Sequence, residues 1–228
     1  MSPRRAAYLR EIGIPVFVLR RWGADGAAGA AEATAVDAVP DVAEPADAWA
    51  ALTAEVLACT RCELHRGRTQ AVVGVGRKDA DLMVIGEAPG YEEDRQGEPF
   101  VGPAGKLLNA MLRAIGFERT DVYIANILKC RPPSNRDPTP SEAARCTPFL
   151  ERQIALVRPK AILGVGRIAA QWLLQSDAPM GRLRGRVLQF REIPLVVTYH
   201  PAYLLRTPIA KATAWQDLCM VKQLLAGR

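Results

Sequence analysis

The sequence lacks any apolar run of about 18 residues, the minimum length of a membrane-spanning helix. It also lacks a persuasive export signal, because the apolar segment 12–19 is short and is flanked by arginines on both sides. No internal repeat is visible. With 49% hydrophobic residues in a chain of 228, we expect a soluble, cytoplasmic, monomeric protein with one substantial core and no membrane partner.

Basic residues are absent from residues 22–50, which carry six acids, whereas residues 1–21 carry five arginines and one acid. The region without basic residues is rich in Ala, Gly and Pro and contains few large apolar residues, which predicts a flexible linker. We therefore expect a short N-terminal element at 1–22, a linker at 23–48 and a folded domain at 49–228. From residue 51 onward, 25 Lys and Arg against 17 acids fit a nucleic-acid partner, although many other basic proteins look the same.

Cysteine is scarce, but four of the five cysteines form a pattern typical of metal sites: Cys59, Cys62, Cys130 and Cys146. Disulfides would require an oxidising compartment, so thiolate ligands to zinc or to an iron–sulfur cluster are the better interpretation. The spacing alone does not choose between these two, since both accept four thiolates. The remaining Cys219 lies in an apolar run and is expected to be a buried helix residue.

Four apolar runs, at 82–85, 122–127, 161–165 and 195–198, predict strands, and several are separated by segments of helical periodicity. This alternation predicts an α/β fold with a largely parallel, four-stranded sheet. Thr139-Pro-Ser-Glu142 is a capping box that should open a helix carrying Cys146 on its early turns.

A glycine motif at 164–169, Gly-Val-Gly-Arg-Ile-Ala, formally matches a dinucleotide-binding fingerprint. No acidic residue ends a following strand about twenty positions on, so the ribose contact of such sites is missing. A tight strand-to-helix turn is the better interpretation of this motif.

Three other clusters follow predicted strands, where open α/β sheets bind their ligands. They read Gly-Glu-Ala-Pro-Gly at 86–90, followed by acids and a Gly/Pro loop to 102, then Asn-Ile-Leu-Lys-Cys-Arg-Pro-Pro at 126–133, and His-Pro-Ala-Tyr-Leu-Leu-Arg at 200–206. Together with the four cysteines, they closely resemble the family 4 uracil-DNA glycosylases, the iron–sulfur branch of that superfamily. The resemblance runs from residue 51 to the C-terminus.

This resemblance implies a three-layer α/β/α fold, a mainly structural [4Fe–4S] cluster on the four cysteines, and hydrolysis of the bond between uracil and deoxyribose in single- or double-stranded DNA. Such an enzyme must rotate the base out of the helix into a pocket. By resemblance, six residues would contact the uracil: Glu87, Ala88, Glu93, Phe100, Asn126 and His200.

The chemistry of these residues fits the implied roles. Phe100 would be the stacking platform, and the Asn126 carboxamide would read uracil N3–H and O4. His200 would donate a hydrogen bond to uracil O2 as negative charge develops on the leaving base. Glu93 would crowd the C5 edge and exclude thymine, and Glu87 would orient water or stabilise a positively charged sugar. The family 1 enzymes have an aspartate where this chain has Ala88, so no residue is assigned as that general base.

The same resemblance implies a group of DNA-contacting residues. Its apolar side chains would fill the gap left by the flipped base, and its arginines would bind phosphates. Its members are Tyr203, Leu204, Leu205, Arg206 and Arg184. An apolar helix start remains an alternative for Tyr203 and Leu204, and a solvated arginine face for Arg182, Arg184 and Arg186.

Three functional hypotheses follow. The first is a monofunctional glycosylase that leaves an abasic site in base excision repair. The second is a non-catalytic iron–sulfur module that binds damaged DNA or senses redox state. The third is a dinucleotide-dependent enzyme using the motif at 164–169.

Overall fold

The computed structural model describes residues 45–226. The expected N-terminal element at 1–22, and the linker as far as residue 44, lie outside the described residues. The first described helix, α1, begins at Pro45, four residues before the expected domain start at Trp49. Across the described residues, no helix is both long and apolar enough to span a membrane.

One six-stranded mixed sheet forms the centre of the domain. In chain order its strands are β1 (Val75–Gly76), β2 (Leu82–Gly86), β3 (Tyr123–Asn126), β4 (Ala161–Val165), β5 (Val187–Phe190) and β6 (Ile193–Thr198), and they lie in the order β1-β3-β2-β4-β6-β5. The four inner strands are parallel, with Gly86 paired to Asn126 and Val165 to Thr198. The two edge strands are antiparallel to their neighbours.

The inner strands are the four predicted from apolar runs, so the predicted largely parallel sheet is confirmed. The prediction of four strands omitted the two edges. Strand β1 has only two residues, and the burial of β5 alternates imperfectly, so neither has the continuous apolar run of a doubly covered strand.

Helices cover both faces of the sheet. They are α1 (Pro45–Leu57), α2 (Tyr91–Gln96), α3 (Pro103–Ala114), α4 (Pro140–Val157), α5 (Arg167–Leu174), α6 (Met180–Leu183), α7 (Pro201–Arg206) and α8 (Lys211–Ala226). Short 3₁₀ turns lie at Glu63–Arg66, Arg119–Asp121, Pro133–Asn135 and Pro208–Ala210.

Strand side chains alternate between two separate cores. On β2, Met83 and Ile85 pack with residues of α1, α4 and α5, whereas Leu82 and Val84 pack with residues of α3, α7 and α8. Because both faces of each inner strand are buried, these strands read as continuous apolar runs in the sequence. The predicted three-layer α/β/α architecture is therefore confirmed.

Helix α4 begins as its sequence predicts. The Thr139 hydroxyl accepts the main-chain N–H of Glu142 at 3.3 Å, and the Glu142 carboxylate accepts that of Thr139 at 2.9 Å. Both bonds satisfy donors that a helix start otherwise leaves open. This start sets the rotation of α4 and directs Cys146, on its second turn, toward the core.

The motif at 164–169 forms the tight turn from β4 into α5. Gly166 has φ +97°, which favours glycine, and a Cβ atom there would come within 3.1 Å of the His200 side chain. The glycine therefore makes room for a pocket residue that follows the neighbouring strand β6, which accounts for the motif without a dinucleotide.

Candidate active site

A pocket of about 440 Å³ opens where the parallel strands β2, β3 and β6 end. Since β3 and β4 lie on opposite sides of β2, the pocket sits at the point where the strand order reverses, the usual ligand position in such sheets. All six residues predicted to contact uracil line it: Glu87, Ala88, Glu93, Phe100, Asn126 and His200.

Asn126 ends strand β3 and is 2% exposed. Its side-chain oxygen is buried and has no hydrogen-bond partner within the described residues. A buried acceptor of this kind costs free energy unless something donates to it. An N–H donor that reaches this oxygen from the pocket, which Asn126 lines, would satisfy it.

Gly86, at the end of β2, allows this arrangement. A Cβ atom at position 86 would come within 2.4 Å of the Asn126 side-chain oxygen and 2.6 Å of the Phe100 ring. The missing side chain thus leaves space where the amide and the ring meet.

Phe100 lies in the loop before α3 with φ +54°, a strained conformation for a residue with a Cβ atom. Its ring is 5.7 Å from the His200 ring at an interplanar angle of 32°. Arg119 fixes the loop by donating to the carbonyl oxygens of Pro99 at 2.6 Å and Phe100 at 3.3 Å. A flat aromatic surface is therefore held at the pocket wall.

Glu93 lies on α2 and ties two pocket loops together. One carboxylate oxygen accepts the main-chain N–H groups of Val101 and Gly102, at 2.9 and 3.1 Å, and the other accepts that of Gly90 at 3.1 Å. Three such bonds fix the carboxylate and the Phe100 loop together. The predicted crowding of uracil C5 stays a prediction, and the structure adds a bracing function.

Glu87 directly follows β2 and is half-buried at the pocket. Burial raises the pKa of Glu87 to about 7, the negative charge of Asp137 adds to the increase, and Arg167 opposes it. A carboxyl group with a pKa near 7 can change its protonation state under working conditions.

His200 follows β6 and caps α7. Its Nδ1 accepts the main-chain N–H of Ala202 at 3.2 Å, so in the neutral ring the proton is on Nε2. Burial lowers the pKa of His200 to about 4, and the positive charge of Arg206 adds to the decrease. At neutral pH the residue is thus an uncharged N–H donor beside Phe100.

Helix α7 places three of the predicted DNA-contacting residues at the surface. Tyr203 and Arg206 line the pocket mouth, and the exposed fractions of Tyr203 and Leu205 are 38% and 44%. The Tyr203 ring packs against Tyr199, with 5.0 Å between ring centres. This surface borders the pocket, as a DNA-contacting surface should.

Two residues predicted to contact DNA, Leu204 and Arg184, are engaged inside the fold. Leu204 is 1% exposed and packs in the core beneath α3 and α8, because consecutive residues of a short helix face in different directions. The Arg184 side chain is 13% exposed and forms a bidentate ion pair with the buried Asp217 carboxylate. Its Nη2 also donates to the Thr213 carbonyl, so Nε and Nη2 both bond within the fold.

A second cavity, separate from the first, brings the four predicted metal ligands together: Cys59, Cys62, Cys130 and Cys146. No disulfide bond links the five cysteines, all of which lie in the described residues, and Cys219 lies half-buried on α8, outside this cavity. Within residues 45–226, no three Cys, His, Asp or Glu side chains have the geometry to hold a single metal ion.

The surroundings of these thiols are cationic. The Arg68 guanidinium donates to the Cys130 sulfur at 3.0 Å, and the Lys129 main-chain N–H donates to the Cys146 sulfur at 3.3 Å. Burial raises the pKa of Cys146 to about 11 and also raises that of Cys130. Deprotonated sulfurs there need a positive partner, and metal binding supplies one.

Sequence reasoning missed several residues that support the pocket: Lys129, Gln153, Arg119 and Asp137. Gln153 could have been found, since it lies seven residues after Cys146 on the buried face of α4. Arg119 begins a 3₁₀ turn of three residues and Asp137 lies in a loop, and neither is long enough in regular structure to show a periodic pattern that would indicate its contacts.

Comparison with known proteins agrees with this geometry. The family model of the Uracil DNA glycosylase superfamily matches residues 73–219. The chain is 45% identical over 162 residues to the type-4 uracil-DNA glycosylase of Archaeoglobus fulgidus, covering 68% of this chain and 81% of the relative. It is 40% identical over 187 residues to that of Sulfurisphaera tokodaii, covering 78% and 85%.

The relative named as a type-4 uracil-DNA glycosylase in Thermotoga maritima is 45% identical over 150 residues, covering 65% of this chain and 78% of its own length. The matched region contains the pocket-forming strand ends and the loops that follow them. From its fold, its pocket and these similarities, the chain belongs to the type-4 branch of the uracil-DNA glycosylase superfamily.

Proposed function

We propose that the pocket binds a uracil nucleotide rotated out of DNA and hydrolyses the bond between uracil N1 and deoxyribose C1′. The chain is a uracil-DNA glycosylase, as its relatives are named. The observation that carries the assignment to this pocket is the buried, unpartnered oxygen of Asn126, which lies beside an aromatic ring and a neutral histidine donor.

Uracil recognition rests on Asn126. Its side-chain oxygen accepts uracil N3–H and its NH₂ group donates to O4, while Phe100 stacks on the base. Cytosine has an acceptor at N3 and a donor at C4, so it would leave both groups of this amide facing the wrong partner. Buried polar groups without partners give the large discrimination that methyl contacts alone do not.

Departure of the base rests on His200. When the C1′–N1 bond breaks, its electron pair stays on uracil and negative charge spreads to O2. A neutral Nε2–H donor at O2 stabilises that charge, and a donor of this kind contributes roughly 10²–10³ in rate. The low pKa of His200 keeps it uncharged for this task.

Glu87 acts on the sugar side of the bond. Its carboxylate stabilises positive charge on deoxyribose or orients the water that adds to C1′. The water's oxygen bonds to C1′, its proton leaves to solvent or to a nearby base, and the uracil anion takes a proton after release. No covalent enzyme intermediate is needed.

DNA contacts lie on the exposed side of α7. Leu205 and Tyr203 are apolar surfaces of the size needed to fill the space of a flipped base, and Arg206 at the pocket mouth meets phosphate. Leu204 and Arg184 take no part in this surface, since each is engaged inside the fold.

The four-cysteine cavity would hold a [4Fe–4S] cluster. The four cysteines line one cavity and can supply the four thiolates that such a cluster requires. When bound, the cluster supplies a covalent cross-link between segments around residues 59–62, 130 and 146. Its place apart from the uracil pocket supports a structural function.

The test is base release from oligonucleotides that differ at one position, carrying uracil, thymine or cytosine, in single- and double-stranded form. Iron-loaded protein should make only the uracil strand sensitive to alkali, without cutting it beforehand. If no strand becomes sensitive, the hydrolase assignment fails, and uracil binding without release would support the DNA-damage-binding module instead. The named relatives give that alternative no support.

A further inference from the structure

A buried lysine joins the two sites. Lys129 is 1% exposed, and its ammonium donates to the main-chain carbonyl oxygen of Asn126 at 2.7 Å and to the side-chain oxygen of Gln153 at 2.6 Å. It stands three residues after the uracil-reading asparagine and directly before Cys130.

Gln153 anchors this lysine in the core. It is 0% exposed, and its NH₂ group donates to the Val73 carbonyl at 2.7 Å and to the Tyr123 hydroxyl at 3.2 Å. With both ends of the amide bonded, its orientation is fixed. The ammonium is therefore held from helix α4, and through Tyr123 from the start of β3 itself.

The cost of burying an ammonium group argues against simple packing. These acceptors are neutral oxygens, and a methionine of similar length would fill the space without removing a charge from water. A charged donor makes a stronger hydrogen bond than a neutral one, and here it acts on the carbonyl of the residue that reads the base.

We propose that Lys129 is a positioning residue for uracil recognition. By holding the Asn126 carbonyl, it fixes the main chain that carries the pocket-lining Asn126 side chain. The proposal rests on the proposed function of Asn126. Removing the ammonium should therefore weaken uracil recognition specifically. An Asn126 amide displaced by a fraction of an ångström loses much of the free energy of its hydrogen bonds to uracil.

The experiment compares two DNA ligands with the full, iron-loaded protein. One carries 2′-fluoro-2′-deoxyuridine, which presents uracil but resists hydrolysis, and the other carries a tetrahydrofuran abasic analogue without a base. The ratio of their Kd values isolates uracil recognition from DNA binding. Lys129→Met should reduce the preference for the uracil ligand by at least about tenfold, the effect of one charge-assisted hydrogen bond, with abasic-DNA affinity unchanged.

Two controls separate positioning from loss of structure. Leu150→Ala removes a fully buried side chain on α4 and should lower Tm while leaving the preference unchanged. In an Asn126→Ala background, Lys129→Met should have no further effect on the preference, because the residue through which it acts is gone. Iron content and visible absorbance are measured for each protein.

Gln153→Leu provides a second variant and should reduce the preference in the same direction by a smaller factor. If both variants keep iron and the wild-type preference, Lys129 does not position Asn126 and the proposal is overturned. If both variants lose iron or no longer fold, Lys129 is a structural residue and the proposal is also overturned. If the wild-type protein shows no preference for the uracil ligand, the proposed function itself fails, which is a distinct result.

Discussion

His200 combines two features that the reaction needs in one residue. The Ala202 main chain fixes its ring with Nε2–H free to donate, and burial keeps it neutral. A neutral donor strengthens its hydrogen bond as charge develops on the leaving base, without attracting anions in the ground state.

His200→Ala should therefore lower the single-turnover rate of uracil release by roughly 10²–10³. The Kd for uracil-containing DNA should change little, because the lost interaction strengthens mainly in the transition state. His200→Gln, which retains an N–H donor, should recover part of the rate. Equal rates for wild type and His200→Ala in rapid-quench measurements would show that the histidine does not stabilise the leaving base.

Glu87 sets the expected pH dependence. Its pKa is raised to about 7, so the carboxylate that acts in the reaction is increasingly lost as pH falls below 7. The single-turnover rate should rise from pH 5.5, reach about half its maximum near pH 7 and level off above about pH 8, while His200, with a pKa of about 4, remains neutral throughout.

The matched variant is Glu87→Gln, which should be slower at pH 8 and nearly independent of pH. A wild-type rate that does not change between pH 5.5 and 8 would contradict an ionised Glu87 in the reaction.

For single residues, the sequence predicts which side chains line the pocket but not which neighbouring side chains are buried. Asn126 and His200 lie in motifs at strand ends, whose positions follow from the strand pattern. Leu204 and Arg184 also match surface roles by type, yet one fills a core and the other pairs with Asp217. Those contacts depend on elements distant in sequence.

Among the elements, the end of β2 controls the pocket shape. Gly86 is the point at which the strand backbone, the Asn126 amide and the Phe100 ring approach one another. A side chain at position 86 would force either the Asn126 amide or the Phe100 ring to move.

Gly86→Ala should thus weaken binding of DNA carrying 2′-fluoro-2′-deoxyuridine by tenfold or more, because the new methyl group displaces the Asn126 amide or the Phe100 ring. Overpacking of this kind costs a few kcal/mol. Gly181→Ala is the control, since a Cβ atom there meets nothing within 4 Å. Fluorescence anisotropy measures both. Unchanged affinity of a folded Gly86→Ala protein would mean that the pocket does not hold the base as described.

The loop that carries Phe100 is braced from two sides. Glu93 holds the main-chain N–H groups that follow Phe100, and Arg119 holds the carbonyl oxygens before and at it. Two charged groups on separate elements therefore maintain a positive φ that an unbraced phenylalanine would leave.

Sequence patterns predict the four inner strands and the start of α4 because burial on both faces and helix capping leave strong local signals. The edge strands β1 and β5 form by pairing with β3 and β6, and short edges have little pattern of their own. The hydrogen bonds that hold the Phe100 loop likewise come from residues outside the loop, Glu93 and Arg119. The sequence therefore indicates a Gly/Pro loop but not the contacts that hold it.

For the whole molecule, the four-cysteine site joins parts of the chain that are far apart in sequence. Cys59 and Cys62 follow α1, Cys130 follows β3 and Cys146 lies on α4. A cluster bound there would restrict the unfolded chain and contribute its binding free energy to folding.

Cys146→Ser should lose iron and visible absorbance, with a decrease in Tm of roughly 6–12 °C for a loss of about 3 kcal/mol. Cys219→Ser is the control, because Cys219 lies outside the cavity, and it should retain four irons per chain. Iron analysis and thermal unfolding measure the two effects. Full iron content in Cys146→Ser would contradict the assignment of this ligand.

Hydrolysis of the uracil–deoxyribose bond is the reaction assigned to this molecule, and mass spectrometry of a single-turnover reaction distinguishes it from binding alone. With enzyme in excess over an oligonucleotide containing one uracil, we expect free uracil and an uncut abasic strand in equal amounts, with no enzyme–DNA adduct. A strand that keeps its uracil after incubation with iron-loaded wild-type protein would contradict the account.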